Sequence, residues 1–203
     1  MKDMPNNEKL DLIFLIDRSG SMYGSEMDTI GGFNSFLDKE RANGFDTNVT
    51  TVLFNHQCEM LYKRKSIDDV KNLTKEEYFV RGSTSLLDAI GKTVTLLERE
   101  IKNKVLFVIM TDGMENASVE FSKSQIKNMI TNHDWEFIFI GADIDSYAEA
   151  GSIGIKRSRV ANYVKSKEGI GRAYDSVSNV TRCMRANADL DNSNWKKDLE
   201  EFD

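Results

Sequence analysis

Cysteine is scarce in this chain, two in 203 residues, and Cys58 and Cys183 stand far apart with no CxxC or Cys/His spacing. That excludes a disulfide framework and a thiolate zinc site, and it fits a reducing compartment. Histidine is equally scarce. His56 and His133 fall in expected turns without an evident metal or catalytic companion, so both read as solvated loop residues and no Ser-His-Asp relay is in view. No apolar run reaches membrane-spanning length. The opening MKDMPNNEKLDLIF carries acidic residues and asparagines where a signal peptide would have its hydrophobic region. These absences describe a soluble, cytoplasmic protein with no membrane partner. Basic patches are missing too. The formal net charge is -6, which repels phosphate backbones, and the single basic triplet, Lys63-Arg64-Lys65, reads as a solvated strand end. No nucleic-acid partner is expected, and nothing in the pattern indicates an oligomeric state.

What is present suits one sizeable core: 40% of residues are hydrophobic and 9% aromatic, enough for a single domain over residues 1–187. Residues 188–203, ADLDNSNWKKDLEEFD, are acidic and poor in apolar side chains, and read as a mobile tail with room for a short helix around Trp195 and Leu199. Within the domain, LDLIFLID and KVLFVIMTD are near-continuous apolar runs of strand length, each ending in an aspartate, Asp17 and Asp112; such runs suit strands covered on both faces. Met27, Ile30, Phe33 and Leu37 have helical spacing and stop near Asn43-Gly44. TNVTTVLFNHQCEMLYKRK reads as an antiparallel hairpin turning at Asn55-His56-Gln57. Leu86, Ile90, Val94, Leu97 and Ile101 mark a second helix. A helix over 125–131, a strand from Trp135, a short helix after Asp145, a weak strand over 160–164 and a helix over 169–185 complete a β/α alternation. The expected fold is a doubly wound, mostly parallel sheet with one antiparallel edge strand and helices on both faces.

In such a sheet ligands collect at the carboxyl ends of strands, where successive connections leave toward opposite faces. If the strands ending in Asp17 and Asp112 are adjacent, the two carboxylates approach across about 4.8 Å. Around them stand only hydroxyls, Ser19 and Ser21 in one loop and Ser83, Thr84 and Ser85 in another. Carboxylates and hydroxyls without nearby His or Cys make a hard oxygen-only site, which selects Mg²⁺, Mn²⁺ or Ca²⁺ over zinc. Two aspartates balance a double charge, and an ion held mainly through hydroxyls stays electrophilic toward an external carboxylate.

DRSGSM after an apolar strand, GST opening a helix and TDG closing a later strand together resemble the three loops of the metal ion-dependent adhesion site (MIDAS) of von Willebrand factor type A domains. The resemblance runs from Asp11 to Asn187. It implies the ligands Asp17, Ser19, Ser21, Thr84 and Asp112, and a protein partner whose Asp or Glu completes the octahedron. DTIGGFNSFL, STSLLDAIGKT and TDGMENAS are most similar to an intracellular bacterial branch. The function so implied is a non-enzymatic, metal-dependent binding module. The alternative is a Mg²⁺-dependent phosphoryl- or acyl-transfer hydrolase using the same strand ends.

Other motifs have local readings. AIGKT imitates the end of a phosphate-binding loop, but the glycine required five residues before Gly91 is Leu86, and the stretch lies inside a helical period. A strand-terminal phosphoryl-accepting aspartate would have a second acid two residues on, where this chain has Ser19. Asp88 reads as a local hydrogen-bonding group and Asp145 as a helix cap. Glu115-Asn116 is left between rimming the site and starting a helix.

Overall fold

The computed structural model describes residues 9–201. Most of the asparagine-rich opening and the last two residues of the acidic tail lie outside that range. Eight apolar-dominated residues, Leu10–Asp17, form β1, buried at every position. It is followed by α1 (Glu26–Ala42), β2 (Thr47–Phe54), β3 (Cys58–Ser66), α2 (Leu86–Leu97), β4 (Lys104–Thr111), α3 (Lys123–Asn132), β5 (Glu136–Gly141), α4 (Ser146–Ser152), β6 (Val160–Asn162), α5 (Lys167–Arg185) and α6 (Lys197–Glu200). The sheet order is β3-β2-β1-β4-β5-β6. Only β3 runs antiparallel to its neighbour.

Alternation along β1 builds the two layers. Leu12, Phe14 and Ile16 point into one core with α1 and α5, while Ile13 and Leu15 point into the other with α2 and α3. In the first, Phe33 and Phe36 set their rings edge-on to Phe14, with centroids 5.3 and 5.0 Å away. In the second, the predicted stripe Leu86, Ile90, Val94 and Leu97 is fully buried. The helix stop at Asn43-Gly44 is observed, with Gly44 at φ 69°. α5 starts two residues before the predicted position because Ser166 caps it, its hydroxyl accepting from Gly169 N at 3.1 Å.

Three sequence readings are corrected. The acidic tail is packed: Leu190, Trp195 and Leu199 are buried against the α5 layer. Trp195 Nε1 donates to the Ser158 carbonyl at 3.0 Å and Lys196 Nζ to that of Val160 at 2.8 Å, which pins the segment beside β6. Three apolar residues spaced through a polar stretch suffice, because all three join the buried cluster that includes the inner face of α5. His133 is not a solvated loop residue: its Nδ1 contacts the Met129 carbonyl at 2.6 Å, and its ring packs on Trp135. The Lys63-Arg64-Lys65 triplet is tied down, not merely solvated. Arg64 Nε donates to Asp11 at 2.9 Å and Lys63 pairs with Glu100 at 2.6 Å. Among the described residues no helix is long and apolar enough to cross a membrane.

Candidate metal centre

β1 and β4 are neighbours, with Ile16 opposite Met110, so Asp17 and Asp112 emerge side by side at the carboxyl edge. The connection after β1 leads to α1 on one face and that after β4 to α3 on the other, which makes this the switch point.

Asp17 is fully buried. Its Oδ1 accepts from Ser19 N at 2.7 Å and its Oδ2 from Thr111 Oγ1 at 2.5 Å. Burial lifts its carboxyl to about 6; the hydrogen bonds from Thr111 and Ser19 resist that rise, and the nearby Asp112 charge adds to it. The first loop turns immediately, so that Ser19 Oγ and Ser21 Oγ lie 3.1 Å apart and Ser21 Oγ donates to Asp112 Oδ1 at 2.5 Å. Asp112 Oδ2 is buried and receives no directed hydrogen bond. Lys165 Nζ stands 2.7 Å from it in an ion pair.

Thr84 joins this group from the second loop. A β-carbon on Gly113 would lie 2.6 Å from Thr84 Oγ1, 3.2 Å from Ser21 Oγ and 3.5 Å from Asp17 Oδ2. One point beside Gly113 is therefore faced by oxygens of two loops and of the β1 end. The structure brings Asp17, Ser19, Ser21, Thr84 and Asp112 together as one polar cluster. No group of three or more His, Cys, Asp or Glu side chains that could hold a metal ion is found among the described residues; in this cluster three of the five side chains, Ser19, Ser21 and Thr84, carry hydroxyls.

Cross-links hold the loops in place. Gly20 N donates to Gly82 O at 2.8 Å and Arg81 N to Arg18 O at 3.0 Å, tying the first loop to the second. Gly82 has φ 75°, and a side chain there would run into the His56 ring. Tyr78, buried, donates to the Asp17 carbonyl at 2.6 Å. Arg18, also buried, pairs with Glu59 at 2.6 Å and donates to the Glu77 carbonyl at 3.0 Å while its guanidinium covers Phe79.

The second loop is tied to the third by Asn116 Oδ1, which accepts from Thr84 N at 2.9 Å, and by Glu115, which accepts from the amides of Leu87, Ala117 and Ser118 at 2.7 to 2.9 Å. Glu115-Asn116 thus neither starts a helix nor only rims the site; it fixes the backbone carrying Thr84. Asp88 is the local hydrogen-bonding group expected, accepting from the amides of Val119, Glu120 and Phe121, each at 3.0 Å. Gly91 lies within α2 and makes room for the Phe121 ring, 2.5 Å from where its β-carbon would be. The AIGKT stretch is therefore a packing feature. Asp145 caps α4, accepting from Ala148 N at 2.9 Å.

Sequence reasoning missed Lys165, Tyr78 and Arg18. Lys165 follows a three-residue strand with no motif around it and Tyr78 sits in an irregular connector; Arg18 stands inside DRSGSM, but its partners Glu59 and Glu77 lie far from it in sequence. Gly113 carried a weak signal, as the residue after Asp112 at a strand end.

Strand order, strand directions and a hydroxyl-carboxylate cluster at the switch point define a doubly wound α/β domain of the Rossmann-like class. The chain belongs to the von Willebrand factor type A domain family, whose model matches residues 11–173. No curated protein matches it significantly in sequence. Among solved structures, proximal thread matrix protein 1 from the mussel byssus, with a zinc-occupied MIDAS motif, aligns with TM-score 0.66 and 15% identity over 88% of this chain and 47% of its own. The vWF domain of the type V pili tip protein Mfa5 from Porphyromonas gingivalis aligns with TM-score 0.66 and 10% identity, covering 87% of this chain and 96% of that one. Manganese-loaded TRAP protein of Plasmodium vivax gives TM-score 0.59 and 18% identity, covering 83% and 74%. This chain spans about half the length of the byssus proteins it matches.

Proposed function

We propose that the protein is a divalent-cation-dependent protein-binding module of the intracellular bacterial branch, acting in the cytoplasm. Asp17, Ser19, Ser21, Thr84 and Asp112 would hold a Mg²⁺-type ion, and an Asp or Glu of a protein partner would complete its coordination. The observation that carries this reading is the oxygen-lined point beside Gly113, faced by Thr84 Oγ1, Ser21 Oγ and Asp17 Oδ2. The buried Asp112 Oδ2, which already holds the Lys165 ammonium at 2.7 Å, is an acceptor of the kind a cation requires. The zinc-occupied MIDAS of the byssus protein and the manganese loaded in TRAP support a divalent occupant; the oxygen-only donor set favours the harder Mg²⁺ or Mn²⁺.

A bound ion would supply a Lewis-acidic face toward solvent. The chain's own contribution is to fix the donors. Asp17 is held by Thr111 and by the Ser19 amide, and Thr84 by Asn116. Binding is preferred to hydrolysis because the carboxylate that accepts from Ser21 Oγ, Asp112, is itself engaged by the Lys165 ammonium and is not free to serve as a base. The test is calorimetric titration with Mg²⁺ and Mn²⁺, followed by capture of partners from the native host in Mg²⁺ and in chelator. The expected result is saturable single-site ion binding, abolished in Asp17→Asn, and capture that is lost in chelator and in Thr84→Ala. Ion binding with turnover of phosphoester or acyl probes would favour the hydrolase; absence of ion binding would end both readings.

A further inference from the structure

Lys165 lies in the loop between β6 and α5, next to the capping Ser166. Its ammonium reaches across to the first and third loops at once. It pairs with Asp112 Oδ2 at 2.7 Å and donates to the main-chain carbonyl of Ser21. Its side chain is 21% exposed, whereas that of Asp112 is 1% exposed. A flexible cation thus reaches from the rim to a buried carboxylate. Without it, Asp17 and Asp112 would sit close together, buried, with no cation between them, and like charges so placed disfavour each other's ionisation.

We infer that Lys165 is a tethered competitor for the cation position: its ammonium and a divalent ion draw on the same Asp112 carboxylate, so the ion binds only as the lysine swings out. This rests on the metal-site reading above and adds a residue that sets the site's affinity. The geometry allows the exchange. Lysine carries four side-chain torsions, and its backbone sits outside the sheet, so release requires side-chain rotation and leaves β6 and α5 in register. The effect follows from population arithmetic. If the ammonium holds Asp112 about nine-tenths of the time, the apparent dissociation constant for the ion rises about tenfold over that of the open site. Once displaced, the ammonium stays within reach of the rim, where it adds a positive charge beside an incoming carboxylate.

The experiment compares wild type, Lys165→Met and Lys165→Arg by calorimetric titration with MgCl₂ and with MnCl₂, and by thermal melting in chelator. Lys165→Met should bind either ion about tenfold more tightly than wild type, while Lys165→Arg, which keeps the charge, should stay near wild type. In chelator Lys165→Met should melt below wild type, because the aspartate pair loses its counter-charge, and its rise on adding Mg²⁺ should be the larger of the two. Equal dissociation constants in wild type and Lys165→Met would overturn the inference and leave the metal site standing. Tight binding by Lys165→Arg as well would overturn it by showing that charge is not the cause. Failure of all three proteins to bind either ion would overturn the metal-site reading itself, and this inference with it.

Discussion

Gly113 turns its bare α-carbon toward the hydroxyl of Thr84, so closely that a β-carbon would stand 2.6 Å from Thr84 Oγ1. Gly113→Ala must push that hydroxyl aside, and Asn116 prevents the Thr84 backbone from yielding. The expected cost is about 1–3 kcal/mol of stability, with loss of most Mg²⁺ binding. Titration calorimetry on the folded variant checks it; wild-type affinity would mean that Thr84 does not serve the site.

Asp17→Asn should lose most of the stabilisation by Mg²⁺. For the wild type, an ion that binds only the native state adds about 2.7 kcal/mol at a hundredfold excess over its dissociation constant, or roughly 5 to 10 °C in melting temperature for a domain of this size. In chelator the variant should melt no lower than wild type. Its Oδ1 still accepts from Ser19, Thr111 can accept from the new amide, and the cost of burying the Asp17 charge, which pushes its carboxyl up, is gone. Scanning calorimetry of both proteins with and without Mg²⁺ decides; a wild type that does not respond would remove the basis for the ion site.

Asp88 supports the third loop through three main-chain amides. Burial would raise its carboxyl, but the amides of Val119, Phe121 and Glu120 outweigh it and hold the group below its ordinary value. A depressed carboxylate contributes stability above its unfolded value, 3.8, and loses it as pH falls through the folded value. Asp88→Asn should therefore cost about 1–3 kcal/mol near neutral pH, and the gap to wild type should narrow below about pH 4. Urea midpoints of both proteins along a pH series measure it; a gap independent of pH would refute the ionic role.

Trp195→Ala should cost about 3–5 kcal/mol, a fall of roughly 6 to 20 °C, because it empties a buried site and orphans the Ser158 carbonyl. A chain ending at Asn187 should melt lower still. An unchanged melting temperature in both would restore the mobile-tail reading.

The β1 and β4 strands and their aspartates were legible because a strand covered on both faces needs an unbroken apolar run, and few other structures produce one ending in Asp. Ser19 and Ser21 were marked by their alternation with Gly20 after Asp17, whereas Thr84 was picked out from Ser83 and Ser85 by the family resemblance. The supporting contacts were hidden for the opposite reason. Tyr78 reaches the Asp17 carbonyl from 61 positions away and Lys165 reaches Ser21 from 144 away, and neither distance leaves a local pattern. Trp195 was misread because its neighbours are polar; what decides its place is the groove beside α5 and β6, which composition cannot reveal.

The central place of β1 also governs when the molecule becomes competent. Asp17 meets Asp112 only once β1 has paired with β4, and the β2–β3 hairpin and α2 lie between those strands in sequence. Parallel pairing over such separations is slow, since loop closure must precede the contacts that reward it. A nascent chain that has not yet released β4 can display the DRSGSM loop but cannot assemble the cluster. A lesion in the β1–β4 ladder, at Leu106 or Val108 for example, would silence the site by thinning the folded population, while every oxygen of it remained encoded and intact.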